Sequence, residues 1–124
     1  MSERRETGNE GEIIVCSYLE KNSHTVLEKN YRSGHLEIDI ISLDRDGIHF
    51  VEVKTRRPPL QASPQDSVTA AKQRRIAQAA ANYLSRSKHP GLETLECHFD
   101  VAAVVIDGNR TTIKFIKDAY IPIF

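Results

Sequence analysis

Apolar and polar positions recur along this chain with two different periods, and each change of period marks a new element. From Asn9 to about Asn22, Ile14, Val15, Tyr18 and Leu19 recur at helical spacing, and Asn9 with Glu12 three positions later resembles a capping box. "HTVLEKNYR" reads as a short strand. Leu36, Ile38 and Ile40 then alternate with Glu37 and Asp39 at the two-residue period of a half-buried strand. "DRDG" is a turn in which Gly47 tolerates a positive φ, and "IHFVEVK" resumes the alternation. "RRPPLQASPQDS" carries prolines and no period, so 57–66 is expected to be a mobile loop. From Ser67 to Arg86 an alanine-rich segment with a stripe of Ile76, Ala79, Ala80 and Tyr83 predicts a second helix. "FDVAAVVID" and "TTIKFIK", joined by a turn at Gly108-Asn109, close the chain as two strands. The predicted order is α-β-β-β-α-β-β, an α/β fold with a mixed sheet and helices packed on it.

The pattern also fixes a register. If Leu43 opposes Ile48, then Ile40 faces Val51 and Ile38 faces Val53 on the apolar side, while Asp39 faces Glu52 and Glu37 faces Lys54. A slip of one residue would put the isoleucines on the face of the charges. Two carboxylates opposed across neighbouring strands repel each other. A hard divalent cation with oxygen ligands offsets that repulsion, and a lysine two residues past the second carboxylate shares its face. The plain alternative is a solvent-facing hairpin with one cross-strand ion pair.

At 124 residues the chain fits one domain, with 1–8 expected to be disordered. The charged start and the lack of any uncharged apolar run near the roughly 18 residues of a membrane span point to a cytoplasmic protein without membrane contact. Cys16 and Cys97 have neither zinc-ligand nor disulfide spacing and read as buried or half-buried side chains. Net charge is zero, but its distribution is uneven: Val53 to Pro90 holds eight basic residues against Asp66 alone, and Glu37 to Glu52 holds five acids against Arg45. A basic segment beside an acidic cluster suits a polyanionic partner. A solvated basic helix is the competing explanation.

These residues also carry a resemblance. Glu37-Ile38-Asp39, a gap of twelve residues and Glu52-Val53-Lys54 resemble the core signature of the PD-(D/E)xK nuclease superfamily. With Gly11-Glu12, Phe50 to Arg56, Lys72 to Arg75 and Phe99-Asp100, the chain resembles the YraN-like bacterial family, which is similar to Holliday-junction resolvases. His35 and Leu36 stand between Gly34 and Glu37, where the family usually has Gly directly before Glu, and this leaves the role of Gly34 open.

The resemblance implies a restriction-endonuclease-like mixed β-sheet flanked by helices. It also implies Mg²⁺ or Mn²⁺ on Asp39, Glu52 and the Val53 carbonyl, Lys54 as catalytic lysine, and Glu12 as an additional acid. Glu12 serves equally well as a helix cap. Glu37 either orients Lys54, reaches a second metal or forms a plain ion pair. Lys72 lies in the apolar stripe of the second helix and points towards the sheet, where it is expected to meet a nucleic-acid phosphate near the metal, with snorkelling to solvent as the alternative, whereas Arg74 points away. Arg56, Arg57 and Arg75 are then expected to contact backbone phosphates. The expected function is a metal-dependent endonuclease acting on nucleic acid, DNA favoured over RNA, with monomer and homodimer both open. A nucleic-acid-binding module without catalysis is the alternative, and a metalloprotein with no nucleic-acid partner is a third.

Overall fold

A computed structural model describes residues 3–59 and 68–122. Helix α1 spans Glu3–Lys21, followed by strands β1 (Thr25–Ser33), β2 (Leu36–Asp44) and β3 (Gly47–Arg56). Helix α2 spans Ala70–Arg86, and β4 (Cys97–Asp107) and β5 (Arg110–Ile116) complete the order α-β-β-β-α-β-β. The strands form a single sheet in chain order, β1-β2-β3-β4-β5. Neighbours are antiparallel except β3 and β4, because α2 carries the chain back to the starting end of the sheet.

One helix covers each face. Val15, Cys16 and Leu19 of α1 pack on Ile40, Val51, Ala102 and Val104. On the other face Ile76, Ala79, Ala80 and Tyr83 of α2 pack with Ile41, Phe50, Phe99 and Val101. Strand β3 therefore contributes Phe50 to one core and Val51 to the other. This explains why its apolar residues run together instead of strictly alternating. Burying a side chain of the size of Phe50 stabilises the fold by about 1.5–3 kcal/mol.

Two glycines set how closely the elements approach. At Gly47 φ is +136°, and a Cβ there would lie 2.2 Å from the Glu96 carbonyl oxygen, which accepts from Ile48 N where β4 begins to pair with β3. At Gly11 a Cβ would stand 1.8 Å from Thr55 Oγ1, so α1 lies directly on the end of β3. That contact brings Glu12 to the charged end of the hairpin.

Some expectations need correction. Helix α1 begins at Glu3, and Asn9 lies inside it, so Asn9 and Glu12 do not form a starting cap. The charged residues before Gly8 are good helix formers and carry the helix further back. Helix α2 starts at Ala70, after Thr69, whose hydroxyl accepts from Lys72 N at 3.2 Å. Cys16 is buried, but Cys97 is exposed at the first position of β4, where the sheet ends. Residues 1–2 of the expected disordered start, and 60–66 of the expected mobile loop, lie outside the described residues.

Candidate functional site

The site lies where β2 and β3 part. Their ladder runs from Asp44 opposite Gly47 through Leu43 opposite Ile48 to Ile40 opposite Val51, the register required by the hydrophobic pattern. Beyond it, Val53 N donates to Asp39 Oδ2 at 2.8 Å, so a side chain takes the place of a main-chain acceptor. Strict alternation breaks at this point. Ile38 joins the core under α2, whereas Ile40 joins the core under α1. The expected pairing of Glu37 with Lys54 does not form: Glu37 is exposed and opposes Arg32 of β1. Lys54 turns instead to its own strand, with Nζ 3.3 Å from Glu52 Oε1.

Glu52 is only 7% exposed, and the same Oε1 also meets Lys72 Nζ from the first turn of α2. The inward placement of Lys72 thus agrees with the helical stripe, and Arg74 is exposed. Two ammonium groups share one carboxylate oxygen, which offsets the cost of burying Glu52. Asp39 has no such ammonium partner among the described residues. Burial and the Glu52 charge push its pKa up from 3.8 to about 7, and the Val53 amide opposes them only in part. Burial and the neighbouring Lys72 lower the pKa of Lys54. For Lys72 burial acts against the charge, but its bonds to Glu52 and Lys54 prevail and its pKa is raised.

Glu12 faces this group from α1. Burial raises its pKa against an Asn30 hydrogen bond, with smaller contributions from Glu37 and Glu52. Glu12 and Glu37 are therefore electrostatic neighbours of the site, but they do not close tightly on it. Among the described residues, the group of three ligand-type side chains whose atoms all lie within 4.8 Å of one another is His24, Asp44 and His49. Arg56 is half-buried, and its Nε has no partner among the described residues. Arg57 forms an exposed pair with Glu10 at 3.1 Å, and Arg75 is exposed on α2. Of these basic side chains, Lys54 of β3 and Lys72 of α2 are the ones that meet the Glu52 carboxylate among the described residues.

Sequence pattern gave no sign of Tyr120. It packs its ring on Phe99, its hydroxyl is buried with no partner among the described residues, and burial, then the Glu52 and Asp100 charges, raise its pKa. A tyrosine beyond the last strand has no periodicity to mark it. His49 is visible in the strand pattern, but only as an apolar-face residue and not as a ligand. Alternation puts it on the apolar side with Val51, yet it is buried between two carboxylates, Asp44 and Asp100.

Comparison with known proteins gives a consistent picture. A UPF0102 protein of Chlorobium chlorochromatii is 41% identical over 121 residues, covering 93% of this chain and 91% of its own. One from Syntrophus aciditrophicus is 40% identical over 120 residues, covering 97% and 92%. The UPF0102 protein CPE1705 of Clostridium perfringens is 40% identical over 112 residues, covering 89% of each. Residues 11–104 match the family model, which takes in Gly11, both strands of the hairpin and most of β4, and the chain therefore belongs to Uncharacterised protein family UPF0102.

Proposed function

We propose that this protein is a divalent-metal-dependent nuclease of the PD-(D/E)xK type that hydrolyses phosphodiesters of nucleic acid, DNA in preference to RNA. The observation that carries this is the conjunction of Asp39, with a pKa raised to about 7 by burial and by Glu52, and two lysines converging on Glu52. A hard oxygen donor set of Asp39, Glu52 and the Val53 carbonyl fits Mg²⁺ or Mn²⁺, and Glu12 is a further acid within electrostatic reach. When bound, such an ion supplies Lewis-acid stabilisation of the phosphate and relieves the carboxylate repulsion. Lys54, its charged form disfavoured by burial, is suited to move a proton or to meet developing charge on the phosphate oxygens. Lys72, Arg56 and Arg75 hold the phosphate backbone without reading bases.

A second reading rests on a specific feature. Glu52 is already neutralised by two ammonium groups, and neither Glu12 nor Glu37 closes on Asp39. That arrangement also suits a nucleic-acid-binding module without catalysis. Single-turnover cleavage of linear, single-stranded and branched DNA and RNA, with Mg²⁺ or Mn²⁺ against EDTA, separates the two. For the nuclease, Lys54→Ala retains binding and loses cleavage by on the order of 10²-fold or more. A parent protein that binds nucleic acid and metal but cuts no substrate supports the binding module.

A further inference from the structure

A second polar cluster is built into the opposite end of β3, on the face covered by α1. His24 precedes β1, Asp44 ends β2 and His49 is the third residue of β3. Both imidazole Nε2 atoms face the same carboxylate: His49 Nε2 lies 2.8 Å from Asp44 Oδ1, and His24 Nε2 lies 3.3 Å from Asp44 Oδ2. The outer nitrogens are held as well. His24 Nδ1 meets Ser42 Oγ at 2.9 Å, and His49 Nδ1 meets Asp100 Oδ2 at 2.7 Å. Asp100 is fully buried, and its other oxygen accepts from Asp118 N at 2.8 Å, so its position is fixed.

The chemistry of His49 makes this arrangement informative. A carboxylate accepts hydrogen bonds and donates none, so His49 Nδ1 carries a proton and donates it to Asp100. In a neutral ring the Nε2 lone pair would then face the Asp44 carboxylate. Two acceptors at 2.8 Å repel, so the gap needs either a second proton on His49 or a cation shared with Asp44. Metal-ligating histidines characteristically donate their far N–H to a carboxylate or another fixed acceptor; here Asp100 accepts from His49 Nδ1, and Ser42 Oγ holds the far nitrogen of His24.

Access is uneven, which suits ion entry from one side. The His49 side chain is 1% exposed, whereas His24 and Asp44 are 8% and 16% exposed. His98 stacks on His49, but its two nitrogens are committed to Asp118 Oδ1 and the Asp46 carbonyl, so it lies outside the donor set.

We propose that His24 Nε2, His49 Nε2 and the Asp44 carboxylate form a binding site for a borderline transition metal such as Zn²⁺, separate from the Asp39 and Glu52 carboxylates. Two imidazoles and one carboxylate are a usual protein donor set for zinc, leaving a fourth position open. Imidazole ligands favour such ions over Mg²⁺ or Ca²⁺. The ion would tie the start of β1 to the turn between β2 and β3, with His49 braced against β4 through Asp100.

The test is calorimetric titration of Zn²⁺ into the metal-stripped full chain, with the visible spectrum of Co²⁺ as a report on tetrahedral nitrogen and oxygen coordination. Stoichiometric binding is expected in excess Mg²⁺, and it should persist in Glu52→Gln. His24→Ala and Asp44→Asn should each weaken it by about 100-fold, and Asp100→Asn by about 10–100-fold. Circular dichroism identifies any variant that fails to fold. Asp44→Asn keeps an acceptor for the Asp46 amide, so it decides the matter if His24→Ala is unfolded. Absence of saturable Zn²⁺ binding in the parent overturns the proposal, leaving a second proton as what His49 carries. Binding unchanged in the folded ligand variants, or lost in Glu52→Gln, also overturns it.

Discussion

The Val53 amide of β3 donates to the Asp39 carboxylate of β2 at 2.8 Å, just past the last main-chain pair of their ladder, Ile40 with Val51. One hydrogen bond thus fixes an acid in the sheet at the point where the two strands separate. It does not offset the burial of that acid beside Glu52, and this imbalance gives the first prediction.

In metal-free protein the folded-state pKa of Asp39, about 7, lies above its ordinary value of 3.8, so the folded chain binds more protons than the unfolded chain between those values. Stability from this group is full at low pH and falls as pH rises through that window. The difference sets an upper limit on the order of 4 kcal/mol. Asp39→Asn keeps a side-chain acceptor for Val53 N and should flatten the dependence, being more stable than the parent at mildly alkaline pH. Urea midpoints across the pH range check this. A parent curve as flat as that of the variant would contradict it.

Mg²⁺ or Mn²⁺ should raise the thermal midpoint of the parent, because an ion bound only by the folded state stabilises it by about 2.7 kcal/mol at a hundred times its Kd. Asp39→Asn should lose most of that gain. Scanning calorimetry with and without metal measures both. No shift in the parent at millimolar metal would rule out useful affinity at these carboxylates.

Gly11→Ala should destabilise the fold by about 1–3 kcal/mol, since the new methyl meets Thr55 Oγ1 and α1 must move off β3. Adding Thr55→Ala removes the obstructing oxygen and should recover part of the loss. A double-mutant cycle in denaturant gives the coupling, which is expected to be nonzero because the two residues touch. Simple additivity would mean that the helix does not press on Thr55.

On the proposed function, the protein should bind nucleic acid through phosphate contacts and this binding should weaken with salt. Lys72→Ala with Arg75→Ala should reduce the slope of log K against log salt by about 2, with little change in preference among sequences. Fluorescence anisotropy over a salt series measures it. An unaltered slope would locate the binding surface elsewhere.

The order of elements, the β2–β3 register down to Ile40 opposite Val51, and the inward face of α2 were legible in the chain itself, because hydrophobic period and strand pleat are local constraints. Asp39, Glu52, Lys54 and Lys72 could be picked out for the same reason. Tertiary structure decided what those constraints leave free. The regular pleat is interrupted where the Asp39 carboxylate takes the Val53 amide beyond the main-chain ladder, so Ile38 and Ile40 join different cores. Lys54 chooses Glu52 over Glu37 because the ladder ends before Glu37 can oppose it. His24, Asp44, His49 and Asp100 come from four separate segments, and only the pairing of β3 with β2 and with β4 brings them together. Alternation along a single strand assigns His49 a face, whereas the carboxylates waiting there are supplied by strands whose neighbours the local pattern cannot name.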